Sequence, residues 1–365
     1  MFKLALGALV SLLFVLTPAT AASDAERGTK VSAVKKHLVK KSQARRREAA
    51  TATAGDNRVR HVRRVSVVRG KRTVVYRNVR SAHVLAAPAA RSAGDVAGLN
   101  LTRDPLALAS SVALVLDQSN SEVLFEKNAS VALPIASITK LMTGLLVVQS
   151  GQDMNEVLTI TDDDLDREKH TSSRLKVGAR MTRTNLLHIA LMSSENRAAS
   201  ALGRNYPGGI SAFVAAMNAK AHELGMNDTR YVDSSGLSSL NVASARDLAK
   251  LAMVAHGEPL LREYSTDPKT IVDAGGRMMR YSNTNYLVAS PDWDIGLQKT
   301  GFINEAGRCL VMQAMIQGRA VIMVFLDSKG KQSRTADAGR MRRWLEALKP
   351  PGLVNSLVHQ TGAAH

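Results

Sequence analysis

Past residue 104 the hydrophobic pattern alternates between short β-type runs and longer helical ones. Ser111-Val112-Ala113-Leu114-Val115-Leu116 is a strand, Asp117–Ser121 a turn, and Glu122–Glu126 a second strand, so a hairpin opens this part of the chain. The apolar run Leu141–Val148 then predicts a buried helix starting near Ser137, after Pro134-Ile135-Ala136. Leucines of Thr184–Met192 fall on one helical face, and helices over Asn196–Leu202 and Ile210–Gly225 flank Tyr206-Pro207-Gly208-Gly209. Another helix over 244–256 takes Ser244 as N-cap, with Asp247 three residues on. Strand character returns from Trp293 to Thr300, over Gly307–Met315 and over Ala320–Leu326, and an amphipathic helix closes at 333–348. Strands thus come from both ends with helices between. The predicted fold is mixed α/β (α+β), one antiparallel sheet assembled from both chain ends plus a mostly helical lobe.

The N-terminal hundred residues follow another pattern. Lys3, the apolar run Leu4–Leu16 and Ala19-Thr20-Ala21 form an export signal over residues 1–21, too short to span a bilayer. A cleavable signal implies a periplasmic protein, soluble or peripherally attached. The net charge is +18, and Ala22–Asn100 holds 19 Lys and Arg against 5 Asp and Glu, so the basic character belongs to this segment. Residues 22–103 are read as a basic, largely disordered arm, residues 104–348 as the folded domain, and residues 349–365 as a disordered tail. Within the arm, β-branched runs on either side of Gly70-Lys71 can pair as a hairpin. The arm is either a solvated tether or a contact for an anionic wall polymer or membrane surface. An exported chain makes nucleic acid a poor partner. Cys309 is the lone cysteine, read as a buried, inert thiol.

Three short motifs carry chemistry. Ser137-Ile138-Thr139-Lys140 sits at a helix start, where residues i and i+3 share a face, so Lys140 can take the Ser137 proton. Ser194-Glu195-Asn196 lies between two helices, and Lys299-Thr300-Gly301 at the end of a strand. Each is common by chance, but in this order they match the Ser-x-x-Lys, Ser-x-Asn and Lys-Thr-Gly set of penicillin-recognising serine enzymes. Segments such as Leu191–Ala199, Leu224–Thr229, Asp233-Ser234-Ser235-Gly236-Leu237 and Asn283–Leu287 resemble the D-alanyl-D-alanine peptidases of the low-molecular-weight penicillin-binding proteins. The resemblance covers residues 105–348 and implies a β-lactamase/transpeptidase-like fold.

It also implies roles. Ser137 is the nucleophile, Lys140 its base, and Ser194 the proton donor to the leaving amine. Asn196, Lys299, Thr300 and Gly301 bind substrate, with the Ser137 and Phe302 N–H groups as oxyanion hole. Burial and the charge of Lys299 are expected to lower the Lys140 pKa. No cofactor or metal is implied. Only 17 residues follow the closing helix, whereas carboxypeptidases of this family typically carry a further β-domain and anchor helix. The expected activity is therefore a penicillin-inhibited endopeptidase cutting peptidoglycan cross-links, with stem peptides as substrate. The alternatives are a D,D-carboxypeptidase, a β-lactamase and a non-catalytic wall-binding protein.

Other polar residues are assigned structural places. Glu195 is expected to be solvated, and the Glu223/Asn227 pair only mimics a β-lactamase water site. His170, His188, His222 and His256 lack metal-ligand spacing, and Asp162-Asp163-Asp164 lacks a calcium-loop pattern.

Overall fold

A computed structural model describes residues 60–68, 71–79 and 91–348 of the chain. The export signal, the first part of the arm and the 349–365 tail lie outside the described residues.

The chain divides into two units, residues 1–87 and 88–365. In the first, β1 (Arg60–Val68) pairs antiparallel with β2 (Lys71–Val79), from Arg60 opposite Val79 to Val68 opposite Lys71. This is the hairpin expected around Gly70-Lys71.

The second unit begins with α1 (Ala93–Val96), before the expected start at Asp104. Ser92 and Asp95 form a reciprocal capping box, and Lys329, far along the chain, donates to Ser92 Oγ at 2.5 Å and Asp95 Oδ2 at 2.7 Å. The Ala93 N–H also donates to the Glu305 carbonyl at 2.8 Å. Long-range partners hold this turn, which is why local composition gives no sign of it.

Then come β3 (Ser110–Asp117), β4 (Val123–Lys127), the short β5 (Leu133–Pro134) and α2 (Thr139–Gln149). The middle lobe contains β6 (Val157–Thr159), β7 (Arg180–Thr182), α3 (Arg183–Met192), α4 (Asn196–Arg204), α5 (Gly209–Glu223), β8 (Val242–Ala243), α6 (Ala245–Gly257) and α7 (Pro259–Thr266). It is followed by β9 (Lys269–Asp273) and β10 (Met278–Ser282), which pair as a hairpin. The chain returns through β11 (Asp294–Ile303), β12 (Gly307–Ile316) and β13 (Arg319–Ser328) to α8 (Ser333–Ala347).

The main sheet has the order β11-β12-β13-β3-β4, antiparallel throughout, with Val324 of β13 opposite Leu114 of β3. Both chain ends build it, as the pattern predicts. Strand alternation sends Ala113, Val115, Met323 and Phe325 to the face covered by Ala338, Met341 and Leu345 of α8. Val112, Leu114, Val324 and Leu326 face the helical lobe. Buried from Thr139 to Val147, α2 is apolar nearly all round and runs through the middle of that lobe. Two elements escape the hydrophobic pattern: α7, which starts at Pro259, and the β9–β10 hairpin, where only alternate residues are buried. β11 continues to Ile303, so Lys299-Thr300-Gly301 lies inside the strand and not at its end.

Candidate active site

The Ser137 turn is held from two sides. The Ile135 N–H donates to the Asn241 carbonyl at 3.0 Å, Ala136 takes a left-handed φ of 49°, and a 3₁₀ turn over Ala136–Ile138 feeds α2. A non-glycine residue in that region stores strain that its surroundings must hold. The loop Asp233–Ser238 supplies the hold. Asp233 accepts from the N–H groups of Ser235 and Gly236 at 2.6 Å each and of Ser238 at 2.9 Å. Asn241 donates to Thr139 Oγ1 at 3.0 Å, and Thr139 Oγ1 donates to the Ala136 carbonyl at 2.8 Å. Gly236 has φ 80°, and a Cβ there would lie 1.9 Å from the Ala136 carbonyl oxygen, so only glycine lets this loop close on the turn.

The three motifs converge around two buried lysines. Lys140 Nζ lies 2.9 Å from Ser137 Oγ, 2.7 Å from Asn196 Oδ1 and 2.5 Å from the Ser235 carbonyl oxygen. The last two partners can only accept. A neutral lysine gives its two N–H bonds to them and keeps its lone pair for the Ser137 hydroxyl. Burial lowers the Lys140 pKa to about 7, while Asp233 and Glu195 act in the opposite direction. Burial is thus the cause, and the expected contribution from Lys299 is not among the leading influences.

The coupling acts on Lys299 instead, which sits well below its ordinary value through burial first, then the charges of Lys140 and Arg334. Lys299 Nζ donates to Ser194 Oγ at 2.9 Å and to the Thr300 carbonyl at 3.0 Å. Ser194, in the loop between α3 and α4, also has a left-handed φ, 61°. Thr300 Oγ1 shares a 2.6 Å hydrogen bond with Thr284 Oγ1, and Asn196 Nδ2 donates to Thr171 Oγ1 at 3.0 Å. On Gly301 a Cβ would lie 2.7 Å from the Ile135 carbonyl oxygen and 3.2 Å from the Ser137 nitrogen. The missing side chain lets β11 run beside the Ser137 turn. Phe302 is half exposed, with the Arg308 guanidinium 4.5 Å from its ring centroid. A cleft of about 360 Å³, lined by Arg174, Ser194, Glu195, Asn196 and Tyr281 among others, opens beside these groups. A larger cavity, about 580 Å³, is lined by Asp117, Arg319 and Leu345 and contains none of the three motifs.

Several neighbours were not singled out from the sequence. Ser235 and Thr284 lie in segments that already resemble the family, which was the available signal. Arg334 of α8 gave none: it reads as one more basic residue of an amphipathic helix. Its guanidinium donates to the Gly301 carbonyl at 2.7 Å and the Cys309 carbonyl at 3.2 Å, behind β11. Glu195 corrects an expectation. It is nearly buried, caps α4 and accepts from the Arg197 N–H at 3.4 Å. A cap position, not solvent, uses its carboxylate.

The remaining residues keep structural places. Glu223 is exposed and pairs with Lys220 at 2.7 Å. Asp164 is buried, accepting from Thr161 and Arg204. Cys309 is buried, its thiol pushed up to about 12 chiefly by burial. Among the described residues no group of three or more His, Cys, Asp or Glu could hold a metal ion.

The chain as a whole has named relatives. A family model for D-alanyl-D-alanine carboxypeptidase matches residues 100–330. A D-alanyl-D-alanine endopeptidase of Pseudomonas aeruginosa is 48% identical over 252 residues, 68% of this chain and 80% of that protein. Another, from Escherichia coli K12, is 40% identical over 268 residues, 73% of this chain and 86% of that protein. The ampicillin-bound penicillin-binding protein D2 of Listeria monocytogenes superposes with a TM-score of 0.58 and 28% identity, over 66% of this chain and 98% of that one. The family match covers more than half of the residues, and the chain belongs to the S11 family of D-alanyl-D-alanine peptidases.

Proposed function

We propose that the chain is a serine D-alanyl-D-alanine endopeptidase that opens peptidoglycan cross-links through an acyl-enzyme. One observation carries the chemistry: Lys140 Nζ lies 2.9 Å from Ser137 Oγ with its other two partners acceptor-only. Two relatives that are 48% and 40% identical bear the endopeptidase name, which favours cross-links over terminal D-alanine.

Ser137 Oγ attacks the carbonyl carbon of the D-alanine residue before the scissile bond, and its proton passes to Lys140. The N–H groups of Ser137 and Phe302 take the developing oxyanion, which the approach of Gly301 to the Ser137 nitrogen allows. The C–N bond breaks and Ser194 gives the leaving amine its proton; the proton that Lys140 took from Ser137 replaces it by way of Lys299, 2.9 Å from Ser194, so Lys140 is neutral again. Water then attacks the ester with Lys140 as base, releasing a carboxylate and restoring Ser137. Thr300, steadied by Thr284, holds a carboxylate beyond the scissile bond. Such an anion favours the charged form of Lys299, against the burial and the Lys140 and Arg334 charges that lower it. β-Lactams enter the same route and stop as acyl-enzymes.

The enzyme acts in the periplasm after export by residues 1–21, and no helix among the described residues is long and apolar enough to cross a membrane. The basic arm serves as an electrostatic contact with the cell envelope. The test joins intact-mass analysis after benzylpenicillin with digestion of purified cross-linked muropeptides. The endopeptidase gives an adduct that is lost in Ser137→Ala and converts dimers to monomers. An adduct with untouched dimers and released D-alanine makes it a carboxypeptidase, and rapid penicillin consumption makes it a β-lactamase.

A further inference from the structure

The β1–β2 hairpin carries a charge that the catalytic chemistry does not use. Between Asp56 and Asp95 the chain has ten Arg and Lys residues and no acidic residue. Six of the ten lie on the paired strands: Arg60, Arg63, Arg64, Lys71, Arg72 and Arg77. The register places every one of them opposite a valine or Tyr76, and none opposite another cation. Arg60 faces Val79, Arg64 faces Val75, and Arg63 faces Tyr76. Directly opposed like charges destabilise an antiparallel pair, so this register lets a ribbon with no acidic residue form at all. A solvated tether has no need of the seven valines on the two strands, which fit a pleated ribbon and are foreign to a charged coil.

The distribution between faces narrows the partner. Opposed residues share a face, and residues alternate along a strand. One face therefore holds positions 60, 64, 71 and 77, and the other holds 63 and 72. An element lying on a lipid surface concentrates its apolar residues on one face and its cations on the other. Here both faces mix arginine with valine. That suits a partner able to meet the ribbon from either side, such as a mesh of carboxylate-bearing peptide strands.

We propose that the β1–β2 hairpin is a docking module for peptidoglycan itself, binding the free carboxylates of its stem peptides. The proposal rests on the endopeptidase reading for the identity of the polymer. Twelve residues separate Val79 from Ser92, a span of at most about 45 Å when fully extended. Docking therefore keeps the Ser137 site within reach of cross-links near the anchoring point and raises their local concentration. Neutralisation by the polymer also removes the repulsion within a two-stranded ribbon that is marginal alone in water.

The test uses the full mature chain carrying Ser137→Ala, so that the polymer stays intact, and measures co-sedimentation with purified protein-free sacculi. A second chain also carries Arg60→Gln, Arg63→Gln, Arg64→Gln, Lys71→Gln, Arg72→Gln and Arg77→Gln. The first chain pellets with sacculi and is released by salt, and the second binds at least about tenfold more weakly. With Ser137 intact, the six glutamines slow digestion of sacculi by a similar factor and leave hydrolysis of a soluble muropeptide dimer within about twofold. Equal pelleting of the two chains overturns the proposal. So does stronger partition onto phosphatidylglycerol vesicles than onto sacculi, which would make the hairpin a membrane contact. If soluble dimers resist the wild-type chain, the endopeptidase reading fails, while the pelleting result still decides the hairpin.

Discussion

The sheet edge and the cleft both bury lysine, and they treat it in opposite ways. At the edge, Lys127 of β4 donates to Asp104 at 2.9 Å and to the Ser110 carbonyl at 3.0 Å, with both charged side chains almost wholly covered. Asp104 also accepts from the Leu106 and Leu108 amides at 2.9 and 3.2 Å. Burial works to raise the Asp104 carboxyl, but Lys127 and these amides outweigh it and hold it below its ordinary value. That arrangement is a clasp. In the cleft, Lys140 and Lys299 are as deeply buried, yet their hydrogen-bond partners are hydroxyls, an amide oxygen and carbonyls. Without a bonded counter-ion, burial pulls both below the ordinary lysine range. In the proposed mechanism, whether a buried lysine has a carboxylate partner thus separates a structural cation from one that exchanges protons.

The largest expected effect follows from removing the proposed base. Lys140→Met should slow benzylpenicillin acylation by roughly 10³–10⁴-fold, read as adduct formation by intact mass. The melting temperature should hold or rise, because methionine fills the volume without leaving a charge unpaired. An acylation rate within tenfold of the native chain would remove Lys140 from the mechanism. Next comes Gly236→Ala, which disturbs the site without touching a reacting atom. A methyl 1.9 Å from the Ala136 carbonyl oxygen, at φ 80°, must displace the Ser137 turn. About 1–3 kcal/mol of stability should be lost in denaturant titration, with acylation falling in parallel. Unchanged acylation would mean that the turn does not depend on this loop.

The contrast between clasp and base also shows what local sequence conveys. Ser137 and Lys140 were legible because helix periodicity alone places them together. The two-ended sheet was legible because its strands are continuous apolar runs bounded by turns. Ser235 and Thr284 reach the site through loops and a strand whose approach is set by tertiary packing, so no spacing announces them. Arg334 is hidden for a related reason: on a helix rich in arginine, only the fold tells which one points at β11. The early start of the folded unit at Ser92 depends on Lys329, more than two hundred residues away. Glu195, a charged residue between helices, reads as solvent-facing because only the folded turn shows its cap role.

A smaller and graded effect is the pH profile. The proposed acylation needs neutral Lys140, whose pKa is lowered to about 7 by burial. The acylation rate should therefore rise as pH climbs through about 7 and level off above it. Stability should move the same way for a distinct reason. The unfolded lysine keeps its ordinary pKa of about 10.5, so between about 7 and 10.5 the unfolded chain holds the extra proton. Stability from this group is lowest below pH 7 and is gained as pH rises across that window. A bell centred below pH 6, or a flat profile, would exclude Lys140 as the titrating base.

The smallest effect on chemistry is expected at the clasp, and it completes the contrast. Lys127→Met removes a buried ammonium as Lys140→Met does, but it strands Asp104 without its cation. About 3–5 kcal/mol of stability should go, visible in urea titration, because an uncompensated carboxylate is left in the sheet edge. Acylation by the folded fraction should stay within about twofold, since the three motifs do not touch Lys127. Protonation can neutralise the stranded carboxyl, so the deficit should shrink as pH falls toward the carboxylate range. Lys140→Met should show no such recovery, having left no carboxylate behind. If both variants lost stability alike and recovered alike in acid, the distinction between a paired and an unpaired buried lysine would not hold in this protein.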